Sequence, residues 1–284
     1  MDGPGAHMIP GARRARTAAL ALLGALWVGD LGMGGALSGQ APPLVGPPAP
    51  VAAPFPRGAV QRRARPRRPL PDLPLIEVHP AVAPKTVQMA VLLTGDGGWA
   101  VTDKGLSADL ASHGIPVVGW NSLRYFLRRR NPDGTAKDLE RVLRHYLPVW
   151  RREKVVLIGY SFGADVMPFL VHRLPPDLRS RVSLVALLGP DEKAGFRFHL
   201  SEWLGKDSQD TLPVRPELEK LRGLPILCSY GEQEAKSLCR EIDPRLAHIL
   251  SRPGTHIIGK GYGGIAAEIY RLTGLPVHGS PGLP

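Results

Sequence analysis

Residues 155–163 read Val155-Val156-Leu157-Ile158-Gly159-Tyr160-Ser161-Phe162-Gly163. The apolar, β-branched run predicts a strand buried on both faces, and it drives straight into a Gly-x-Ser-x-Gly pentapeptide. In that setting the serine sits on a tight strand-to-helix turn, its hydroxyl exposed at the tip of the sheet. A side chain at Gly159 or Gly163 would collide with the neighbouring strand or helix. Ala164–Arg173 can form the helix that follows. The pentapeptide alone occurs in many unrelated chains; the strand before it and the helix after it make Ser161 a candidate nucleophile.

Outward from this elbow, short β-branched runs alternate with amphipathic stretches. Strands are expected at Leu75–His79, Val87–Leu93, Ile115–Gly119, Val155–Ile158, Val182–Leu188, Pro225–Tyr230 and Leu246–Leu250. Helices are expected at Asp103–His113, Lys137–Tyr146, Phe162–Arg173, Pro216–Leu221 and Gly264–Leu272. Continuous apolar strands separated by helices predict an α/β fold, a mostly parallel sheet covered on both faces. Pro168 falls inside the helix after the elbow, where a kink or an early end is expected.

Acyl transfer by a serine needs a base, a group that orients the base, and donors for the oxyanion. In a strand-elbow-helix fold these follow in the chain order serine, acid, histidine. His248, His256 and His278 follow Ser161 at sufficient distance; His248 lies in an apolar strand and His278 in a Gly/Pro-rich tail. His256, in a loop past the last strand, is the base of choice. Strand Pro225–Tyr230 runs into Gly231-Glu232-Gln233-Glu234, which makes Glu234 the first choice of acid, with Glu232 beside it and Asp191 the main rival. Oxyanion donors are expected from the backbone N–H of Phe162 and from the glycine-rich loop Thr94–Trp99, at Asp96 or Gly97. That loop lacks the Lys-Ser/Thr of a phosphate-binding loop, and no metal or organic cofactor is called for.

The chain has 284 residues, 43% of them hydrophobic and 21% charged, enough for one ordinary core with extensions. Arg13, Arg14 and Arg16 precede the apolar stretch Thr17–Val28, so residues 1–41 read as a signal peptide or an uncleaved N-terminal anchor and the remainder as exported, hence periplasmic. Residues 42–72 read as a disordered linker, since Ala41–Pro84 holds 13 of the 30 prolines together with an arginine cluster. The folded domain is expected over 73–276 and a flexible tail over 277–284. Up to Leu70 there are nine basic and two acidic residues, a net of +7, which leaves only +4 of the formal +11 for the rest. The basic linker suits either an anionic membrane surface or a solvated spacer. Nucleic acid is excluded as a partner, because the arginines lack interleaved aromatics and sit on an exported chain.

Several strings together, Gly95-Asp96-Gly97-Gly98-Trp99, Gly119–Phe126, Gly159–Val166 and Cys228–Cys239, resemble the bacterial virulence proteins VirJ and AcvB over about residues 75–273. The resemblance implies an exported α/β-hydrolase-like domain, hydrolysis of aminoacyl-phosphatidylglycerol, especially the lysyl form, and in some members partners in type IV secretion. Cys228 and Cys239 flank Glu234. In an oxidising compartment they can close the acid loop as a disulfide; the alternative is two buried thiols. Trp99, Trp120, Tyr125 and Phe126 fall on loops at strand ends, placed to line an acyl or headgroup pocket, and Arg124 is placed to meet a phosphate. Asp96, Asp103, Asp165 and Asp191 are available to a cationic aminoacyl group. The expected activity is therefore a serine ester hydrolase, most specifically of (lysyl-)phosphatidylglycerol. The competing readings are a periplasmic binding factor of a secretion system with little turnover, and a generic esterase.

Overall fold

The computed structural model describes residues 70–80, 86–198 and 211–275. The expected leader (1–41), the linker through residue 69 and the tail (277–284) lie outside the described residues. Seven strands form one sheet in the order β1-β3-β2-β4-β5-β8-β9. They are β1 (Leu75–Val78), β2 (Gln88–Leu93), β3 (Val117–Trp120), β4 (Lys154–Tyr160), β5 (Val182–Leu188), β8 (Ile226–Gly231) and β9 (His248–Arg252). Only β1 is antiparallel to its neighbour, with Leu75 opposite Trp120 and Val78 opposite Val117. All other pairings are parallel, so the C-terminal ends of six strands share one edge.

The two-residue period of β4 explains why the sheet is covered on both sides. Val155 and Leu157 join one buried cluster, with Leu139, Leu143, Val166, Leu170 and Leu218. Val156 and Ile158 join the other, with Leu106, Leu110, Ile265 and Ile269. The first cluster is closed by α3 (Pro132–Val149), α4 (Phe162–His172) and α6 (Val214–Glu219), the second by α1 (Val101–Ser112) and α7 (Gly263–Leu272). The fold also has the short helices α2 (Ser122–Tyr125) and α5 (Pro176–Arg179), a ribbon of β6 (Lys193–Gly195) against β7 (Thr211–Pro213), and a 3₁₀ turn at Leu238–Arg240. Among the described residues no helix is long and apolar enough to cross a membrane.

Several elements differ from the sequence expectation. α3 begins five residues before Lys137, because Asn131 Oδ1 accepts the Gly134 N–H at 2.7 Å and Pro132 occupies the first turn, where a missing N–H costs nothing. β9 starts two residues late, because the turn at Asp243, closed by Leu246 N–H to the Asp243 carbonyl at 2.8 Å, must finish first. Pro168 does not end α4 early; the helix runs on to His172, with Val166, Met167, Phe169 and Leu170 packed against the sheet around it. His248 is exposed on the outer strand and pairs with Glu268 at 2.6 Å.

Cys228 in β8 and Cys239 in the 3₁₀ turn are joined by a disulfide. The bridge closes the segment that carries Glu234, so intact protein should gain the mass of two hydrogens on reduction, and reduction should lower its unfolding free energy by about 3 kcal/mol. A mass unchanged by reductant overturns the bridge.

Asp103, at the third position of α1, is 1% exposed. One carboxylate oxygen accepts the Ala100 N–H at 3.0 Å while the other is buried without a partner, and desolvation pushes the group up to about 6. A carboxyl raised in the folded state contributes its stability below the unfolded value and loses it as pH rises through the folded one. The unfolding free energy of Asp103→Asn relative to the parent should therefore grow by about 2 kcal/mol between pH 4 and 7, as read by denaturant titration. A pH-independent difference rejects the shift.

Candidate active site

β4 ends at Tyr160 and α4 begins at Phe162, leaving Ser161 as the single joint, with φ 51° and ψ −121°. A non-glycine residue held there costs about 1–3 kcal/mol, and the surroundings hold it in place. Its N–H bonds the Leu188 carbonyl at 2.8 Å, extending the β4–β5 ladder, and its carbonyl accepts from Ala164 and Asp165 at 2.7 and 3.1 Å. A Cβ on Gly163 would strike the Leu93 and Thr94 backbone, and one on Gly159 the Gly163–Ala164 backbone. Both glycines are required by close backbone approach.

Ser161 Oγ lies 2.8 Å from His256 Nε2, and His256 Nδ1 lies 2.6 Å from Glu234 Oε1. The other oxygen of Glu234 accepts the Gly231 N–H at 3.1 Å. Asp191 takes no part in this chain: its carboxylate accepts the Glu192 N–H at 2.7 Å, and its own N–H donates to Asp165 Oδ1 at 2.7 Å. Glu232 is turned outward to Ser251 at 3.3 Å. Of the three acids the sequence offered, the structure brings only Glu234 to the imidazole.

The loops bearing the acid and the histidine are stitched together. Glu232 N–H bonds the Arg252 carbonyl at 2.8 Å and Gln233 N–H the Gly254 carbonyl at 2.9 Å. Arg252 donates to the Thr255 and His256 carbonyls at 2.7 and 3.0 Å, and Arg240 to the Glu232 and Glu234 carbonyls at 2.6 and 2.9 Å. Gly189 has φ +65°, and a Cβ on it would lie 2.9 Å from His256 Cε1 and 3.6 Å from Glu234 Oε1. Sequence reasoning passed over Arg240, Arg252 and Gly189. The only local signal was the Gly189-Pro190 pair after β5.

Gly95, which opens the loop after β2, comes so close to the elbow that an added Cβ would lie 3.3 Å from Ser161 Cβ. Asp96 and Gly97 follow, both exposed, and among the described residues no acceptor is bonded to their N–H groups or to that of Phe162. Asp165, one turn into α4, is pushed well above the usual carboxylate range by desolvation, with the charges of Asp191, Asp96 and Glu234 adding to the effect. Asp191, Asp96 and Glu234 thus lie near enough to Asp165 for their charges to act on it. Asp103 does not join them, since it is sealed under the start of α1.

Three expected pocket residues are core instead. Trp120 and Tyr125 are closed to solvent and packed edge-to-face at 4.8 Å, because Asn121 caps α2 and turns these rings onto α3, where Tyr125 donates to Asp138 at 2.6 Å. Phe126 is buried with them and contacts Phe162 at 4.9 Å. Trp99 is partly exposed, its indole lying over Gly119, and Arg124 is exposed with no partner for its guanidinium among the described residues. No cluster among the described residues has the donors to hold a metal ion.

No curated protein matches the chain. Among solved structures it is similar to MenH from S. aureus, at 14% identity over 70% of this chain and 97% of that one with a TM-score of 0.51. It is also similar to Est1E from Butyrivibrio proteoclasticus, at 12% identity over 70% and 93% with a TM-score of 0.52. These likenesses show the fold, that of the α/β-hydrolases. The family model of the bacterial virulence protein (VirJ) matches residues 87–274, which takes in every strand of the sheet except β1 and all of the residues around Ser161. The chain is a member of the VirJ family.

Proposed function

We propose that this protein is an exported serine hydrolase that cleaves a carboxylic ester, with the aminoacyl ester of phosphatidylglycerol, the lysyl form foremost, as its substrate. The observation that carries this reading is the unbroken chain from Ser161 Oγ through both nitrogens of His256 to Glu234. In the first step Ser161 Oγ attacks the ester carbonyl and passes its proton to His256 Nε2. Glu234, bonded to Nδ1, fixes the tautomer and stabilises the imidazolium. Negative charge on the carbonyl oxygen is met by the N–H of Phe162 and by that of Asp96 or Gly97. Collapse expels the glycerol alkoxide, which takes the proton from Nε2. Water, deprotonated by His256, then releases the amino acid and frees Ser161. No step requires a metal or a cofactor.

The substrate assignment rests on charge as well as on family. An aminoacyl phospholipid carries an ammonium beside its ester and a phosphodiester beyond it. Asp96 and Asp191 at the mouth suit the first, and the exposed guanidinium of Arg124 suits the second. Both charges of the lipid then have a counterpart on this side of the sheet.

Purified protein should release lysine from lysyl-phosphatidylglycerol, and Ser161→Ala should lower kcat by a factor on the order of 10⁵–10⁶ with the fold intact. Equal inactivity of parent and variant on this lipid and on small esters rejects the enzyme reading in favour of a binding factor; activity on small esters alone makes it a generic esterase. Glu234→Gln should cost on the order of 10⁴ in kcat, whereas Asp191→Asn should cost under tenfold. The reverse ranking moves the acid to Asp191.

A further inference from the structure

Among the described residues six large apolar side chains are exposed, and four of them, Val101, Leu127, Leu212 and Ile257, lie on one edge of the molecule. Each sits in a different connection leaving the C-terminal end of a strand. Val101 follows β2, Leu127 follows β3, Leu212 lies in the ribbon after β5, and Ile257 follows β9 beside His256. Because the strands are parallel, that edge is the one that carries Ser161. Single exposed apolar residues are ordinary on a soluble surface, but four ringing one site are not scattered. Ile257 is 73% exposed and Leu127 64%.

Every one of these prongs has a cation beside it. Lys104 stands one turn after Val101, Arg128 follows Leu127, Lys193 is in the strand paired with that of Leu212, and Lys260 follows Ile257 by three. All four are exposed and have no partner among the described residues. Asp96, Asp191, Glu192 and Glu232 are the exposed acids within four residues of these strand ends, so acids stand on the same edge among the basic, apolar tips.

The first strand of the sheet also starts at this edge. β1 is antiparallel, so its first residue, Leu75, pairs with Trp120 at the C-terminal end of β3, and Asn121 N–H bonds the Pro74 carbonyl at 3.1 Å. The sequence just before the first described residue carries Arg57, Arg62, Arg63, Arg65, Arg67 and Arg68.

We propose that this edge is a docking face for an anionic lipid bilayer, with Leu127 and Ile257 inserted at the headgroup boundary and the rim cations on lipid phosphates. Apolar tips flanked by lysine or arginine are the composition that partitions into an anionic interface, where each cation near the surface adds to the attraction. A protein partner would be served better by one continuous apolar patch than by separate tips on four loops. Docking deepens the hydrolase reading and rests on it for the lipid substrate, but it is testable without turnover.

The test uses the full chain carrying Leu127→Trp, Ile257→Trp or, on the opposite edge, the exposed Val149→Trp, mixed with vesicles of phosphatidylglycerol and brominated phosphatidylcholine. These lipids hold no aminoacyl ester. The fluorescence added by tryptophan at 127 and at 257, over that of the parent, should fall by about half on binding, and that added at 149 should be unchanged. Equal quenching at all three positions, quenching at 149 alone, or no binding to these vesicles overturns the proposal. Lysine release from detergent-dispersed lipid, measured on the parent, reports on the hydrolase reading independently, so either idea can fall while the other stands.

Discussion

The structure depends on backbone meeting backbone at the end of the central strand. Gly163 lies against Leu93 and Thr94, Gly159 against the first turn of α4, and Gly95 against Ser161 itself. With no side chains between them, β2, β4 and α4 approach closely enough for one residue to make the whole turn from strand to helix. Ser161 adopts a left-handed φ of 51° as a result. The strain, about 1–3 kcal/mol, is small beside the burial of Val155 to Ile158 on both faces of the sheet. The same contact draws the loop opening at Gly95 over the serine, so the device that exposes the nucleophile also brings backbone N–H groups to its side.

The rest of the site is held from the far side of the sheet by a different means. Glu234 and His256 belong to loops after β8 and β9, and loops are the least rigid places from which to present a pair of side chains. Here they are fixed by carbonyl groups: Arg240 clasps the acid loop, Arg252 clasps the histidine loop, and two backbone bonds tie one loop to the other. The Cys228–Cys239 bridge closes the same acid loop covalently. Gly189 then leaves the space the imidazole occupies. Asp165 works differently again, spending one carboxylate oxygen on the Asp191 N–H and so tying the β5 connection to the elbow helix.

Much of this was legible in the sequence because the strands are continuous apolar runs and because chain order limits the histidines. His256 follows the last strand in a loop, whereas His248 lies within the strand, and the structure accordingly places the first against Ser161 and the second at the outer edge beside Glu268. The acid was less legible, since Glu232, Glu234 and Asp191 are all loop carboxylates and only the fold of the Gly231 turn separates them. Trp120, Tyr125 and Phe126 were misread because position at a strand end says nothing about which way a capped turn rolls its rings. Arg240, Arg252 and Gly189 act through contacts with backbone distant in sequence, which no local pattern encodes. The short ribbon β6–β7 has three-residue strands, too brief for a period of two to register.

The two edges of the sheet differ in a way that follows from its topology. At the N-terminal edge of the strands, polar side chains turn back onto the protein: Arg152 donates to the Thr86 carbonyl at 2.7 Å and Lys154 to the Ser180 carbonyl at 3.1 Å. At the C-terminal edge the connections carry four exposed apolar tips and cations with no partner among the described residues, and the antiparallel β1 starts there as well. The one antiparallel pairing in the sheet thus puts the first residue of β1 on the edge that carries the site.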